Sequence, residues 1–294
     1  MRHKIKSVWN PFRKDVSPAS DAPNYLLVTY DSCRFDAYQA AKTPVLDAHA
    51  VARQAFAQAT YTFAAHASMF QGMLPHVFEE KEFYNRFVKQ MWRVQHRKRA
   101  NARLNMPPGT RSVIDGFNKL GYFTCGTGAM GWFKNNHQLL EFWQAFEYTG
   151  IDARRQVKWT TQQLQNHPER PFFAFINFGE THAPYKFDGE TGLEGDALAR
   201  QRHEQGKKRD GHDATAQFDA AMWQMQVDCV EFLDARMGEL LAFFDRTGRD
   251  VTIVMCADHG DCFGEAGLYG HGFYHPKVME VPMAIFDYQA KKSK

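Results

Sequence analysis

The residues able to do chemistry stand at the ends of apolar runs. "VTIVMCADHGDCFGEAGLYGHGF" begins as a strand, delivers Asp258 and His259 side by side at its tip, and reaches His271 after a series of glycines. "NYLLVTYD" ends on Asp31, and "PFFAFINFGETHAPY" runs into Glu180 and His182. In an open α/β sheet, ligands bind beyond the carboxyl ends of the strands, so three strands point carboxylates and imidazoles at one place. Two carboxylates and an imidazole packed together repel and lose hydration unless a cation holds them. A set of two oxygens and one nitrogen suits a borderline divalent ion, Zn²⁺ or Mn²⁺. On this reading Asp258-His259 is a pair of metal ligands on a rigid arm. The glycines let the following loop fold back so that His271 faces the same pocket.

Such residues need a frame to position them. Five short apolar runs read as buried strands: 24–30, 122–126, 171–178, 250–257 and 281–286. They are continuous rather than alternating, as expected when helices cover both faces of a sheet. Helical patterns lie between them. The clearest is 217–245, with Phe218, Met222, Met225, Cys229, Phe232 and Leu240 on one side. Strands alternating with helices predict a three-layer α/β sandwich around a central, mostly parallel β-sheet. The expected organisation is a basic N-terminal arm at 1–20 and one α/β domain at 21–294, with polar inserts at about 79–110 and 186–216. Phe172, Phe173 and Phe175 belong to the core of this frame.

Composition narrows the function classes. A net charge of +3 on 294 residues gives no global attraction for nucleic acid. No apolar run approaches the roughly 20 residues of a spanning helix, and "MRHKIKSVWNPFRK" lacks the apolar stretch of a signal peptide. The cysteines (Cys33, Cys125, Cys229, Cys256 and Cys262) are scattered, without a CxxC pair, and read as buried small hydrophobes. Together these features predict a cytoplasmic protein with no transmembrane segment.

Four blocks of this chain resemble the sulfatase-like branch of the alkaline phosphatase superfamily, which includes sulfatases, phosphoethanolamine and lipoteichoic-acid transferases, and phosphodiesterases. "NYLLVTYDSCRFDAY" is similar to the branch's first strand and first metal aspartate. "YTFAAHASMFQGMLPH" is similar to its nucleophile segment, "PFFAFINFGETHAPY" to its strand-and-histidine block, and "ADHGDCFGEAGLYGHGFYHPKVMEVPMAI" to its close. The blocks occur in family order from about residue 24 to 286. The resemblance implies that Asp31, Asp258 and His259 hold a metal. Thr62 occupies the nucleophile position, and its hydroxyl would be a further ligand. His182 and His271 match histidines that contact the transferred group or complete a second metal site. Formylglycine sulfatases carry a cysteine in a C-x-P-x-R context, whereas this chain has Thr62, with His66 in place of the arginine. That departure points to phosphoryl or phosphonyl chemistry through a threonyl intermediate. Sulfatases also commonly pair two aspartates at the first block. Here Tyr30 precedes Asp31, which favours Zn²⁺ or Mn²⁺, as one or two ions, over Ca²⁺ or Mg²⁺.

The expected activity is hydrolysis of a small anionic ester, a phosphate mono- or diester or a phosphonate ester. Catalysis falls to Thr62, His182 and His271; His66, His182 and His271 are candidate substrate contacts. Transfer to an acceptor other than water, sulfoester hydrolysis, and a non-catalytic binding protein on the same fold are the alternatives. Each residue also has a plainer role. Thr62 could cap a helix, His182 and His271 could be structural, and His66 could pack within its helix. Glu180 is a candidate ligand of a second metal or a loop residue. Arg34 and Asp36 read as local structure, and His76, His212 and His275 as surface or structural residues. The cationic run Arg86, Lys89, Arg93, Arg97, Lys98, Arg99 and Arg103, with Trp92, reads as a solvated face or as a lid gathering a polyanionic substrate.

Overall fold

The computed structural model describes residues 22–72, 112–135, 137–187 and 217–291, with four short strands at 76–78, 83–85, 92–94 and 102–104. The N-terminal arm, most of both inserts, His212, and the side chains of His76 and of the cationic run lie outside the described residues.

In chain order the strands are β1 (Asn24–Tyr30), β2 (Arg53–Phe56), β3 (His76–Phe78), β4 (Phe83–Asn85), β5 (Trp92–Val94), β6 (Ala102–Leu104), β7 (Phe123–Gly128), β8 (Ala145–Tyr148), β9 (Phe172–Phe178), β10 (Val251–Ala257), β11 (Cys262–Phe263), β12 (Tyr269–Gly270) and β13 (Glu280–Tyr288). The helices are α1 (Phe35–Ala40), α2 (Pro44–Asp47), α3 (Thr62–Gln71), α4 (Val113–Lys119), α5 (Trp132–Asn135), α6 (His137–Leu140), α7 (Ala153–Gln165), α8 (Ala220–Thr247) and α9 (Pro276–Met279). Seven strands form one sheet in the order β2-β13-β10-β1-β9-β7-β8, mostly parallel, with β13 antiparallel to both of its neighbours. β3–β4, β5–β6 and β11–β12 are separate two-stranded pairs.

β9 shows why this is a sandwich. Every residue in it is buried, and alternate side chains enter opposite cores, as the period of two requires. Phe172, Ala174, Ile176 and Phe178 pack with Val157 and Leu164 of α7 and with Val230, Leu233, Met237, Leu240 and Phe244 of α8. Phe173 and Phe175 pack on the other face with Phe63 and Phe70 of α3, Ile114 of α4 and Trp143. Helices thus cover both faces, and the predicted α/β sandwich is the observed fold.

Local chemistry sets the helix limits. The Asp219 carboxylate accepts from the amides of Ala221 and Met222, starting α8, and Gly248 closes it at φ 64°. Phe218, counted in the expected apolar face, precedes that cap and is largely exposed. β2 and β8 were not among the expected strands. They lie at the two edges of the sheet, and "RQAF" and "AFEY" carry no continuous apolar run.

The register matters most for function. Tyr30 of β1 lies opposite Ala257 of β10 and Phe178 of β9, so three parallel strands end level. The Asp31 amide extends the ladder by donating to the Phe178 carbonyl at 2.9 Å. Whatever follows Tyr30, Ala257 and Phe178 therefore meets at one edge.

Candidate metal centre and active site

Asp31, Asp258 and His259 are all buried, and one ligand atom from each lies within 4.8 Å of the others. Second-rank polar groups hold the carboxylates in place. Asn177 donates from Nδ2 to Asp31 Oδ2 at 3.0 Å, and the amides of Ser32 and His259 donate to Asp258 Oδ1 at 3.0 and 2.9 Å. Asp258 Oδ2 has no hydrogen-bond partner. Burial, and then the negative charge of Asp31, push the Asp258 carboxyl well above the usual carboxylate range. Burial acts the same way on Asp31, but His182, His259, His66 and the Asn177 bond outweigh it and hold it low. Burial, followed by the charge of His271, pushes His259 down to about 3. A neutral imidazole keeps a lone pair for a cation. An orphaned buried oxygen, a second carboxylate against it and a neutral histidine fit one divalent ion.

Thr62 adjoins this cluster. It is the first residue of α3, yet its side chain makes no cap; Tyr61 holds the N-cap position. Thr62 Oγ1 instead lies 3.4 Å from His259 Nε2. His66, one turn further on, sits behind Thr62 rather than in the open cleft. Its Nδ1 is 2.8 Å from the Thr62 carbonyl, its Nε2 is 3.1 Å from Thr29 Oγ1, and no part of it is exposed. The rings of Phe70, Phe133 and Phe175 surround it edge-on. That burial excludes direct substrate contact in this arrangement. His66 packs against the Thr62 turn and Asp258, with Nδ1 3.6 Å from Asp258 Oδ2.

A cleft of about 400 Å³ opens above Thr62, lined also by Met130, Gly131, Trp132, His182 and His271. Both histidines named from sequence therefore face the threonine. His271 is brought there by the return of the chain through β11 and β12. The turn needs glycine at Gly264, where φ is 105° and a Cβ would sit 2.1 Å from the Gln217 carbonyl oxygen. Gly260 allows another close approach: its amide donates to the Val278 carbonyl, and a Cβ would meet the Lys277 carbonyl oxygen at 2.2 Å. The Gly272 amide donates to the Thr60 carbonyl at 2.8 Å, tying the His271 segment to the entrance of α3.

Glu180 points elsewhere. Its Oε1 accepts from the Ala153 amide at the start of α7, and burial raises the carboxyl to about 7. It belongs to neither of the ligand clusters among the described residues. Arg34 and Asp36 are structural, as expected: buried Arg34 pairs with Asp36 at 2.7 Å and with Glu265 at 2.6 Å. His275 caps α9, its ring accepting from the Lys277 amide.

Two residues of the site went unnamed in the sequence. Asp261 forms a second cluster with His259 and His271. Burial works to raise its carboxyl, but His271 and the neighbouring histidines hold it far below the ordinary range. Asn177 is the other, and its signal was present: a lone amide in the apolar run "FFAFINF" must spend its polar groups inside the protein.

A family model described as Sulfatase matches residues 23–293. No curated protein matches the chain. Solved structures with the same fold include the C-terminal periplasmic domain of the phosphoethanolamine transferase EptC from Campylobacter jejuni, at 12% identity and TM-score 0.60, covering 92% of this chain and 82% of that one. The corresponding EptC domain from Escherichia coli, solved in complex with Zn, matches at 15% identity and TM-score 0.60, covering 95% and 76%. A protein in the alkaline phosphatase superfamily from Vibrio parahaemolyticus matches at 14% identity and TM-score 0.57, covering 97% and 67%. The family match runs from before β1 to beyond β13 and takes in every residue of the site, so the chain belongs to the sulfatase family.

Proposed function

We propose that this protein is a metal-dependent hydrolase of phosphate mono- or diesters or phosphonate esters, with Thr62 as the nucleophile. The observation that carries the reading is the position of the Thr62 hydroxyl. It is not spent on a helix cap, lies beside His259, and opens onto a cleft walled by His182 and His271. Asp31, Asp258 and His259, with the Thr62 hydroxyl, would hold a divalent ion, Zn²⁺ or Mn²⁺ by donor type. Such an ion makes a neighbouring hydroxyl easier to ionise near neutral pH and offsets negative charge on an ester. Thr62 Oγ1, its proton given up to solvent, attacks phosphorus from the floor of the cleft, and the leaving oxygen departs on the open side with the electron pair of its bond to phosphorus. The amino end of α3 lies under the transferred group and favours its negative charge. His182 and His271, when each carries a proton on both ring nitrogens, are placed to donate to its oxygens or to the departing one. Water cleaves the phosphothreonine in the second step.

Thr62→Ala should lower kcat by about a thousandfold or more, roughly 4 kcal/mol in barrier, with little change in stability. Thr62→Ser should keep part of the rate, because the hydroxyl survives without the methyl that restricts its rotamer. A slow substrate should leave a phosphoryl adduct on Thr62, read by mass spectrometry of denatured protein. Near wild-type turnover in Thr62→Ala, on a panel of chromogenic phosphate esters, phosphonates and sulfates, would overturn the assignment.

A second reading hands the group to an alcohol instead of water. Two observations favour it: the apolar cleft wall of Met130 and Trp132, and the likeness to domains named as phosphoethanolamine transferases. A competing alcohol in the assay separates the two. Rising phosphoryl-alcohol product at constant turnover of the ester supports transfer, and release of phosphate alone supports hydrolysis.

A further inference from the structure

We infer that Asp261, steadied by Tyr185, is a positioning residue that fixes the tautomer of His271 and so decides whether Nε2 presents a lone pair or an N–H to the cleft. The inference rests on the reading of the cleft as the place of group transfer. Asp261 is completely buried, and both carboxylate oxygens are engaged. Oδ1 lies 2.6 Å from His271 Nδ1, and Oδ2 accepts from the Tyr185 hydroxyl at 2.6 Å. A carboxylate bonded in this way only accepts, so the proton of a neutral His271 must sit on Nδ1. Whatever His271 offers the cleft it then offers through Nε2, as a lone pair rather than an N–H.

The support behind Asp261 is extensive. Tyr185 is fully buried and holds a left-handed φ of 54°, a conformation a bulky residue adopts only when its surroundings over-determine it. Its ring meets that of Phe263 edge-on, with centroids 5.6 Å apart. The guanidinium of Arg34 lies over the Phe263 ring, 4.7 Å from its centre. Two loops far apart in sequence, after β9 and after β10, thus meet through one carboxylate behind His271.

The orientation has a chemical consequence. In the second step Nε2 can take the proton of the water or alcohol that attacks the phosphothreonine. The new oxygen–phosphorus bond forms, the bond to Thr62 Oγ1 breaks with its electron pair on Oγ1, and the proton rests on Nε2. The opposite tautomer would present an N–H to the same attacker and could not accept it.

Asp261→Asn makes the test sharp. If the Asn carbonyl keeps the Tyr185 bond, its NH₂ faces Nδ1, which must then accept, and the His271 proton moves to Nε2. The full chain is labelled with ¹⁵N-histidine, the His271 signals are assigned by their loss in His271→Gln, and long-range ¹H–¹⁵N spectra are recorded without added metal over a pH series, the tautomer being read where the ring carries one proton. The expected wild-type pattern is a protonated Nδ1 and a bare Nε2, reversed in Asp261→Asn. With bis-p-nitrophenyl phosphate and added Zn²⁺, kcat should fall about 10- to 100-fold in Asp261→Asn, with KM within about twofold. Tyr185→Phe, which keeps the carboxylate and the ring, should lose less and keep the wild-type tautomer. A wild-type His271 with its proton on Nε2, or an Asp261→Asn protein with unchanged spectrum and kcat, overturns the inference. If Thr62→Ala stays active while the tautomer reverses as expected, the transfer reading fails and the positioning role stands. If Thr62→Ala is dead and Asp261→Asn is not, the opposite holds.

Discussion

Asp258 has one oxygen that accepts two backbone amides and another that accepts none, in a buried site shared with Asp31. This arrangement makes the metal-free protein pay for its ligands, and the cost depends on pH. The folded-state carboxyl is raised well above its ordinary value, so the folded state holds a proton that the unfolded chain has released. Stability from that group is full below the ordinary carboxylate pKa and is lost as pH rises toward the folded value. Asp258→Asn removes the titration while keeping the shape. It should abolish stoichiometric metal binding, and it should unfold at a higher temperature than metal-free wild type at pH 8 with a smaller advantage at pH 5. Elemental analysis and thermal melts at the two pH values check both halves; an Asn variant that retains its metal would remove Asp258 from the ligand set. That Asp31, Asp258 and His259 come together is readable from the sequence, because each ends or follows an apolar strand and parallel strands end level. The place of His66 is not readable in this way. One helical turn after Thr62 its ring could swing to the cleft or to the sheet, and Phe70, Phe133 and Phe175 decide for the sheet.

Between β10 and β13 the chain makes a short hairpin and a helical turn, and this stretch brings His271 to the cleft wall. Its course depends on glycine conformations that the sequence announces as a cluster without saying which positions need them. Gly264 and Gly248 separate the two cases. At Gly264 a methyl group would collide with the Gln217 backbone in a φ region closed to alanine, whereas at Gly248, the αL cap of α8, nothing lies within 4 Å. Gly248→Ala should therefore cost only about 1–2 kcal/mol, the penalty of a left-handed alanine, and leave kcat unchanged. Gly264→Ala should cost more and also lower kcat about tenfold, because the carbonyl clash displaces the hairpin that carries His271 and anchors Asp261. Urea unfolding and steady-state rates measured on both variants test the contrast, and equal kcat in the two would show that the hairpin does not position the site. The edge strands β2 and β8 escaped sequence reading for a related reason. An edge strand needs no apolar run, since it has one paired side and surfaces half open to water.

No helix among the described residues is long and apolar enough to cross a membrane, and the five cysteines are buried and form no disulfide. The molecule is held by its two sheet-face cores, and its chemistry is gathered from segments as far apart as Asp31 and His271. Long-range convergence of this kind has a thermodynamic signature. The unfolded chain cannot assemble Asp31, Thr62, Asp258 and His259, so an ion that binds them binds the folded state alone. Its stabilisation follows mass action and is about 2.7 kcal/mol at a free concentration one hundred times the dissociation constant. For a chain of 294 residues, with unfolding entropy scaling by length, that corresponds to a rise of roughly 4–5 °C in Tm. Protein stripped with a chelator should therefore melt several degrees lower than protein given Zn²⁺ or Mn²⁺. Ca²⁺ and Mg²⁺ at the same free concentration should do less, because a site with an imidazole and few oxygens does not meet their demand for many hard ligands. The Asp258→Asn protein should show no metal-dependent shift, which ties the effect to this site rather than to surface carboxylates. A Tm indifferent to every ion would mean that the cluster is a buried polar network and not a metal centre. A shift with Ca²⁺ alone would mean that oxygen ligands outside the described residues complete a harder site than the imidazole of His259 suggests.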